Sequence, residues 1–202
     1  MFCRIISETM LVLLFVGLLL PLAKAEDDLI TAPLDELLPS REDIPSEWET
    51  GGLSNATLDE PGFVEGKTVW YFKDFGGSSA MDVDFYVYRF SDMNNATTYY
   101  DKEVDEIKSD GGYTEVEIPD AFAVVYDWGI GEQAVSWGVE SNVVFKVEIW
   151  NNYESEDPAD ELITFTTLEK TIIPEFPSFL ILPLFMTTTL LVAVLYRRKH
   201  SM

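Results

Sequence analysis

The sequence predicts an α+β fold, in which an antiparallel sheet of about six strands carries two helices on one face. Aromatic and β-branched residues alternate with polar residues at the two-residue period of strands. Short links join the last four of these runs, and links of that length connect antiparallel neighbours. Two capped amphipathic segments, one inside the series and one after it, give the order ββαββββα.

The N-terminal part of the domain, residues 26–66, is predicted to be irregular. Prolines and acidic residues interrupt it, and Ile44 and Trp48 are the side chains that we expect to reach the core. Glycine pairs and a Pro-Gly step predict a loop over residues 51–66. Residues 37–48, LLPSREDIPSEW, resemble the opening of some secreted sensor-like α+β domains.

Regular elements begin at residue 67. Glycine and serine at 76–79 join the first two strands as a hairpin, and Ser91 or Asp92 caps the first helix. Asp157 followed by proline at the first helical position predicts the start of the second helix. The predicted strands are at 67–75, 81–90, 113–118, 122–128, 133–139 and 143–150. The first helix runs from its cap at 91 or 92 to 109, and the second runs from 157 to 170.

The N-terminus has the pattern of a secretory signal peptide. Arg4 precedes an apolar run of 13 residues, Met10–Leu22, which is too short to cross a membrane comfortably. Small residues at 23 and 25 supply a cleavage site, so we expect residues 1–25 to be removed. An uncleaved N-terminal anchor is the alternative.

The C-terminus has the pattern of a membrane anchor. The 21 residues from Phe176 to Tyr196 carry no charge, and they would form roughly 31 Å of helix, which is enough to cross the bilayer core. Arg197, Arg198 and Lys199 follow, and short basic flanks are retained in the cytoplasm. We therefore expect a single-pass protein of the cell membrane, with its domain outside and its C-terminus in the cytoplasm.

A short motif precedes this anchor and consists of Pro174, Glu175, Phe176, Pro177 and Ser178. The motif, the apolar helix and the basic end together resemble the C-terminal sorting signal of archaeal surface proteins of the PEF-CTERM kind. The resemblance implies cleavage near the motif by an archaeosortase-like enzyme and transfer to a lipid. The predicted division is a signal peptide (1–25), an irregular N-terminal segment (26–66), an α+β core (67–173), the motif (174–178), a transmembrane helix (179–196) and a basic cytoplasmic tail (197–202).

The composition of the exported segment excludes several function classes. Cys3 and His200 are the only cysteine and histidine, and both lie outside residues 26–173. Disulfides, a cysteine nucleophile, a Ser-His-Asp triad and a His/Cys zinc site are therefore excluded, and no cofactor is predicted. The formal net charge of −23 repels nucleic acid and anionic lipid. This acidity indicates either solubility at a crowded or salty surface or attraction for cations and basic partners.

One face of the predicted sheet carries aromatic and charged side chains. Alternation places Tyr86, Tyr88 and Trp150 on the face away from the helices, and they are the candidate ligand-binding residues. The alternative is that the loop over 51–66 folds across this face and makes it a second core layer.

Three functions fit this sequence. The favoured prediction is a membrane-anchored surface domain that binds or senses a ligand or another envelope protein without catalysis. The second is a structural acidic envelope glycoprotein, with glycans on the N-x-T sequons at Asn55 and Asn95. The third is a carboxylate-dependent hydrolase, because Asp82 and Asp84 share a strand face. Four tryptophans either belong to the core or stack on sugars: Trp70, Trp128, Trp137 and Trp150.

Overall fold

The computed structural model describes residues 29–76, 79–152 and 157–173. These residues form seven strands and two α-helices, with a short 3-10 turn at Leu34–Glu36. The strands are β1 (Glu49–Ala56), β2 (Phe63–Gly76), β3 (Ser79–Phe90), β4 (Tyr113–Glu115), β5 (Phe122–Asp127), β6 (Gly131–Glu140) and β7 (Val143–Asn152). The helices are α1 (Met93–Asp110) and α2 (Pro158–Ile172).

The two ends of the chain are not part of this description. The predicted signal peptide, sorting motif and transmembrane helix lie outside the described residues, as do Arg197, Arg198 and Lys199. Within the described ranges, no helix is long and apolar enough to cross a membrane. The predicted α+β class is confirmed for the described residues.

The seven strands form one antiparallel sheet in the order β1-β2-β3-β7-β6-β5-β4. The predicted hairpin corresponds to β2 and β3, and the predicted meander corresponds to β4 to β7; both are confirmed. β7 pairs with β3 on one side and with β6 on the other. The last strand along the chain therefore lies at the centre of the sheet.

The prediction of six strands is wrong, because residues 51–66 include most of a strand. β1 runs beside β2, with Asn55 opposite Lys67, where the sequence predicted a loop. The glycine pair that suggested a turn instead makes room for a side chain. A Cβ atom on Gly51 would lie 2.0 Å from the ring of Trp70, so glycine here allows close packing against the edge strand.

The two helices lie on opposite faces of the sheet, so the prediction that one face carries both is wrong. α1 contributes Ala96 and Tyr99 to an apolar cluster with Trp137, whereas α2 contributes Phe165 to a separate cluster with Phe85. The burial of the central strand, β7, explains why the helices lie on opposite faces. The first seven residues of β7 are buried or half-buried on both faces, and a strand of that kind needs cover on both sides.

The larger core lies between α2, the sheet and the N-terminal segment. Ile44 and Trp48 reach this core as predicted, and they are 4% and 1% exposed. The rings of Trp48 and Phe85 pack edge-on against Phe165, with centroids 5.1 and 5.6 Å away. The irregular segment before β1 is therefore an integral part of the folded domain.

Both helices begin at the predicted caps. The Asp92 carboxylate accepts a 2.8 Å hydrogen bond from the backbone N–H of Asn95, and the Asp157 carboxylate accepts one of 2.9 Å from that of Ala159. α1 ends at Gly111, whose φ of 65° favours glycine. This stop places the C-terminal end of α1 over strands β5 and β6.

Candidate functional site

A cleft of about 550 Å³ opens between the second half of α1 and strands β5, β6 and β7. Helical spacing places Glu103, Ile107 and Asp110 on the side of α1 that faces the sheet. Strand alternation places Gln133 and Trp137 of β6 on the floor of the cleft. The cleft therefore lies on the sheet face that carries the residues singled out in the sequence.

Lys146 of β7 lies on the floor of the cleft. It is opposite Tyr86 on one neighbouring strand and opposite Trp137 on the other, and its Nζ lies 5.0 and 5.3 Å from the two ring centroids. The ammonium group forms an ion pair with Glu148, which also accepts a 2.6 Å hydrogen bond from Gln133 Nε2. Two rings and a carboxylate thus hold the lysine in a fixed position.

Three carboxyl groups crowd next to this lysine. Asp84 lies opposite Glu148 in the sheet, and Asp82 is two residues away on the same face of β3. Burial raises the pKa of Asp84 to about 6, with repulsion from Glu148 and Asp82 adding to the rise and Lys146 opposing it. Burial also raises the pKa of Asp82. Asp84 can therefore gain and lose a proton near pH 6. Within the described residues, no cluster of His, Cys, Asp and Glu is suited to hold a metal ion.

Aromatic rings form one rim of the cleft. Tyr126 and Trp128 stack with their centroids 5.7 Å apart and their planes at 17°, and Trp128 is 59% exposed. Trp128 also lines a smaller cavity of about 160 Å³, together with Trp150 and Ile130. Trp150 is 41% exposed. The two cavities thus meet at Trp128.

The three predicted ligand-binding residues have different environments. Tyr88 is 6% exposed and packs edge-on against Tyr99 of α1, with centroids 5.9 Å apart. Tyr86 is half-buried and stacks on Tyr88, whereas Trp150 is exposed. Burial raises the pKa of Tyr86 to about 12 and raises that of Tyr88 as well. The expectation that this face lies away from the helices is wrong, because α1 covers one end of it.

The candidate glycan acceptors also differ. Asn55 is exposed on β1. Asn95 lies in the first turn of α1, where its Nδ2 donates to Asp92 Oδ2 at 2.7 Å and to Ser91 Oγ at 3.1 Å. Asn55 is therefore the more accessible of the two acceptors.

The sequence did not predict the cleft, although it contains an indication of it. Lys146 interrupts the apolar run of β7, and a charged residue inside such a run requires a buried partner. The groups that meet at this lysine come from three different strands, β3, β6 and β7. The cleft above them depends on which face α1 covers, and the sequence pattern predicted that face incorrectly.

No known protein family and no curated protein matches the chain. Among solved structures, the chain is similar to the extracellular domain of PknH from Mycobacterium tuberculosis, with a TM-score of 0.51 and 15% sequence identity. The likeness covers 73% of this chain and 96% of that one. This chain shares the fold of an extracellular domain. At this level of identity, the likeness concerns the fold alone.

Proposed function

We propose that this chain is an exported, membrane-anchored domain that binds a ligand in the cleft between α1 and strands β5, β6 and β7, without catalysis. The cleft is the observation that carries this proposal. Its volume of about 550 Å³ lies within the usual range of small-molecule sites, and such sites combine aromatic rings with a few fixed polar groups. Lys146, Glu148 and Gln133 already hold one another in place, so the floor needs little ordering when a ligand binds.

Export and anchoring are supported by the two ends of the chain and by the fold shared with an extracellular domain. The motif at 174–178 supports processing by an archaeosortase-like enzyme, after which a lipid replaces the helix as the anchor. α2 ends at Ile172, and only Ile173 separates it from the motif. The domain would therefore sit close to the membrane, where other envelope proteins are the available partners, and its acidity disfavours nucleic acid.

Protease added outside intact cells tests the orientation. We expect the domain to be digested whether the helix or a lipid anchors it, and the basic tail, residues 197–202, to be protected where the helix is retained. A domain that resists digestion in intact cells but is digested after lysis would contradict the proposed orientation.

Thermal unfolding of the full-length protein with a library of small molecules tests the cleft. A ligand at a hundred times its Kd stabilises a protein by about 2.7 kcal/mol, which shifts the Tm by several degrees. Trp128→Ala removes the exposed rim of the cleft and should reduce this shift. Trp70→Ala is the matched control, because Trp70 is 39% exposed and lines neither cavity. Equal shifts in the two variants would place the ligand elsewhere.

Hydrolysis by paired carboxyl groups is a second candidate function, and the environment of Asp84 favours it. A carboxyl group with a pKa of about 6 beside Glu148 resembles the acid and base pairing of glycoside hydrolysis. In this function Asp84 would donate the proton to the leaving group. Asp84→Asn should then abolish turnover and retain the ligand-induced shift in Tm. A wild-type protein that binds its ligand and leaves it intact would exclude this candidate.

A further inference from the structure

We infer that the ligand of the cleft is a neutral oligosaccharide that stacks on Trp128 and extends towards Trp150. This inference rests on the proposed function, because it names the chemical class bound at the same site. It stands on the charge of the lining, on the hydrogen-bonding groups that the cleft presents and on the geometry of the aromatic rim.

The charge of the lining selects against anionic ligands. Glu103, Asp110 and Asp127 line the cleft together with Lys146, and Lys146 is already paired with Glu148. The whole chain carries a formal net charge of −23. A phosphate, a sulfate or a uronic acid would therefore meet carboxylates at short range and a repulsive field at long range.

The hydrogen-bond donors of the cleft select against a simple cation and against an alkyl chain. Lys146 and Gln133 are donors that line the cleft, and Glu103, Asp110 and Asp127 supply acceptors beside them. An ammonium ion or an alkyl chain offers no acceptor to the two donors. A hydroxyl group both donates and accepts, so a polyhydroxy ligand suits the donors and the carboxylates together.

The aromatic rim has the shape that a sugar ring requires. Tyr126 and Trp128 lie nearly parallel, with their planes at 17°, and Trp128 presents its ring to solvent. The C–H face of a pyranose packs against such a ring through dispersion and apolar burial. The hydroxyl groups at the edge of the same sugar then point towards the polar floor of the cleft.

The position of Trp128 between two cavities indicates a ligand longer than one sugar. The cavity of about 160 Å³ shares Trp128 with the cleft and has Trp150 in its wall. A chain that crosses Trp128 places one unit in the large cleft and the next unit beside Trp150. A single sugar would leave the second cavity unused.

Tryptophan fluorescence of the full-length protein, in a zwitterionic detergent without a sugar headgroup, measures the binding. The probes are neutral oligomers of glucose, mannose, xylose and N-acetylglucosamine, from monomer to hexamer, with polygalacturonate as the anionic comparison and spermine as the cationic one. We expect saturable binding of at least one neutral series, with an affinity that rises about tenfold or more between the monomer and the trimer.

Three single variants assign the binding to named residues. Trp128→Ala should weaken every bound oligomer by about tenfold or more. Trp150→Ala should weaken the longer oligomers and leave the monomer unchanged. Trp70→Ala is again the control, because this exposed tryptophan lies on the same sheet face and outside both cavities, and it should bind as the wild type does. Thermal unfolding without ligand shows that each variant is folded.

Absence of saturable binding for every neutral oligomer would overturn the inference, and so would equal affinities of the wild type and Trp128→Ala. If spermine or polygalacturonate binds instead, and Trp128→Ala removes that binding, the ligand class is wrong but the cleft remains a binding site. If neither these probes nor the small-molecule library shows binding that depends on Trp128, the proposed function fails as well.

Discussion

Glu169 of α2 is a buried carboxyl group without a hydrogen-bond partner among the described residues. Its side chain is 0% exposed. Burial raises the pKa of this group well above the ordinary value of 4.5. Tyr71 is the neighbouring titratable group, and its own pKa is raised, mainly by burial, with Glu169 contributing. The folded protein therefore keeps Glu169 protonated, because an ionised carboxylate there would be unsolvated and unpaired.

This burial predicts how stability depends on pH. Above pH 4.5 the unfolded chain ionises Glu169, whereas the folded chain retains the proton. Unfolding then releases a proton, so rising pH favours unfolding until the folded-state pKa is reached. The loss is about 1.4 kcal/mol per pH unit. For a domain of this size it corresponds to roughly 3–6 °C in Tm per pH unit.

Thermal unfolding of the wild type and of Glu169→Gln between pH 4 and pH 8 tests this reasoning. We expect similar Tm values near pH 4 and an increasing advantage of the variant as the pH rises. Glu169→Leu, which removes the buried polar atoms, should be more stable than the wild type across the upper half of this range. Glu117→Gln changes an exposed glutamate and should follow the wild-type curve. Parallel curves for the wild type and Glu169→Gln would refute the burial of an unpaired carboxyl group.

Three further predictions follow from the environments of particular side chains. Tyr88→Ala should cost about 3–5 kcal/mol in urea unfolding, as for other large buried aromatics, whereas the exposed Trp150→Ala should cost less; equal losses would contradict the different burial of the two rings. The difference in Tm between Asp84→Asn and the wild type should increase in favour of the variant from pH 4 to pH 6 and stay constant above pH 6. The reason is that the folded-state pKa of Asp84 is raised to about 6, so the wild type loses stability over this range. Peptide mapping of native protein should find glycan on Asn55 and an unmodified Asn95, because the Asn95 amide is held by Asp92 and Ser91; the reverse pattern would contradict this reading.

The elements that the sequence predicts correctly are those with local causes. Asp92 caps the N-terminus of α1 and Gly111 ends the helix. Both signals are adjacent to the helix in sequence, so the sequence alone predicts its ends. The sequence does not predict β1, because the role of Gly51 depends on Trp70, which lies on another strand. Nor does it predict the face of the sheet that α1 covers, because alternation separates two faces and does not say which of them a helix packs on.

The candidate site also combines features that the local sequence predicts with features that depend on distant residues. Alternation predicts that Tyr86, Tyr88 and Trp150 share one face, and this is confirmed. Whether a ligand can reach them depends on α1, which buries Tyr88 and leaves Trp150 exposed. The cleft itself is formed by α1 and the three consecutive strands β5, β6 and β7. It was not predicted because local alternation does not say on which face of those strands α1 packs.

The central position of β7 has a consequence for how the protein is made. In the described sheet, β7 joins the half formed by β1, β2 and β3 to the half formed by β4, β5 and β6. A chain that emerges N-terminus first therefore leaves β3 and β6 with open edges until residues 143–152 arrive. Pairings between distant segments, such as Arg89 with Val143, form slowly and late. If this chain is exported unfolded, as proposed, the delay would favour its passage, because the sheet cannot close before nearly the whole domain has crossed.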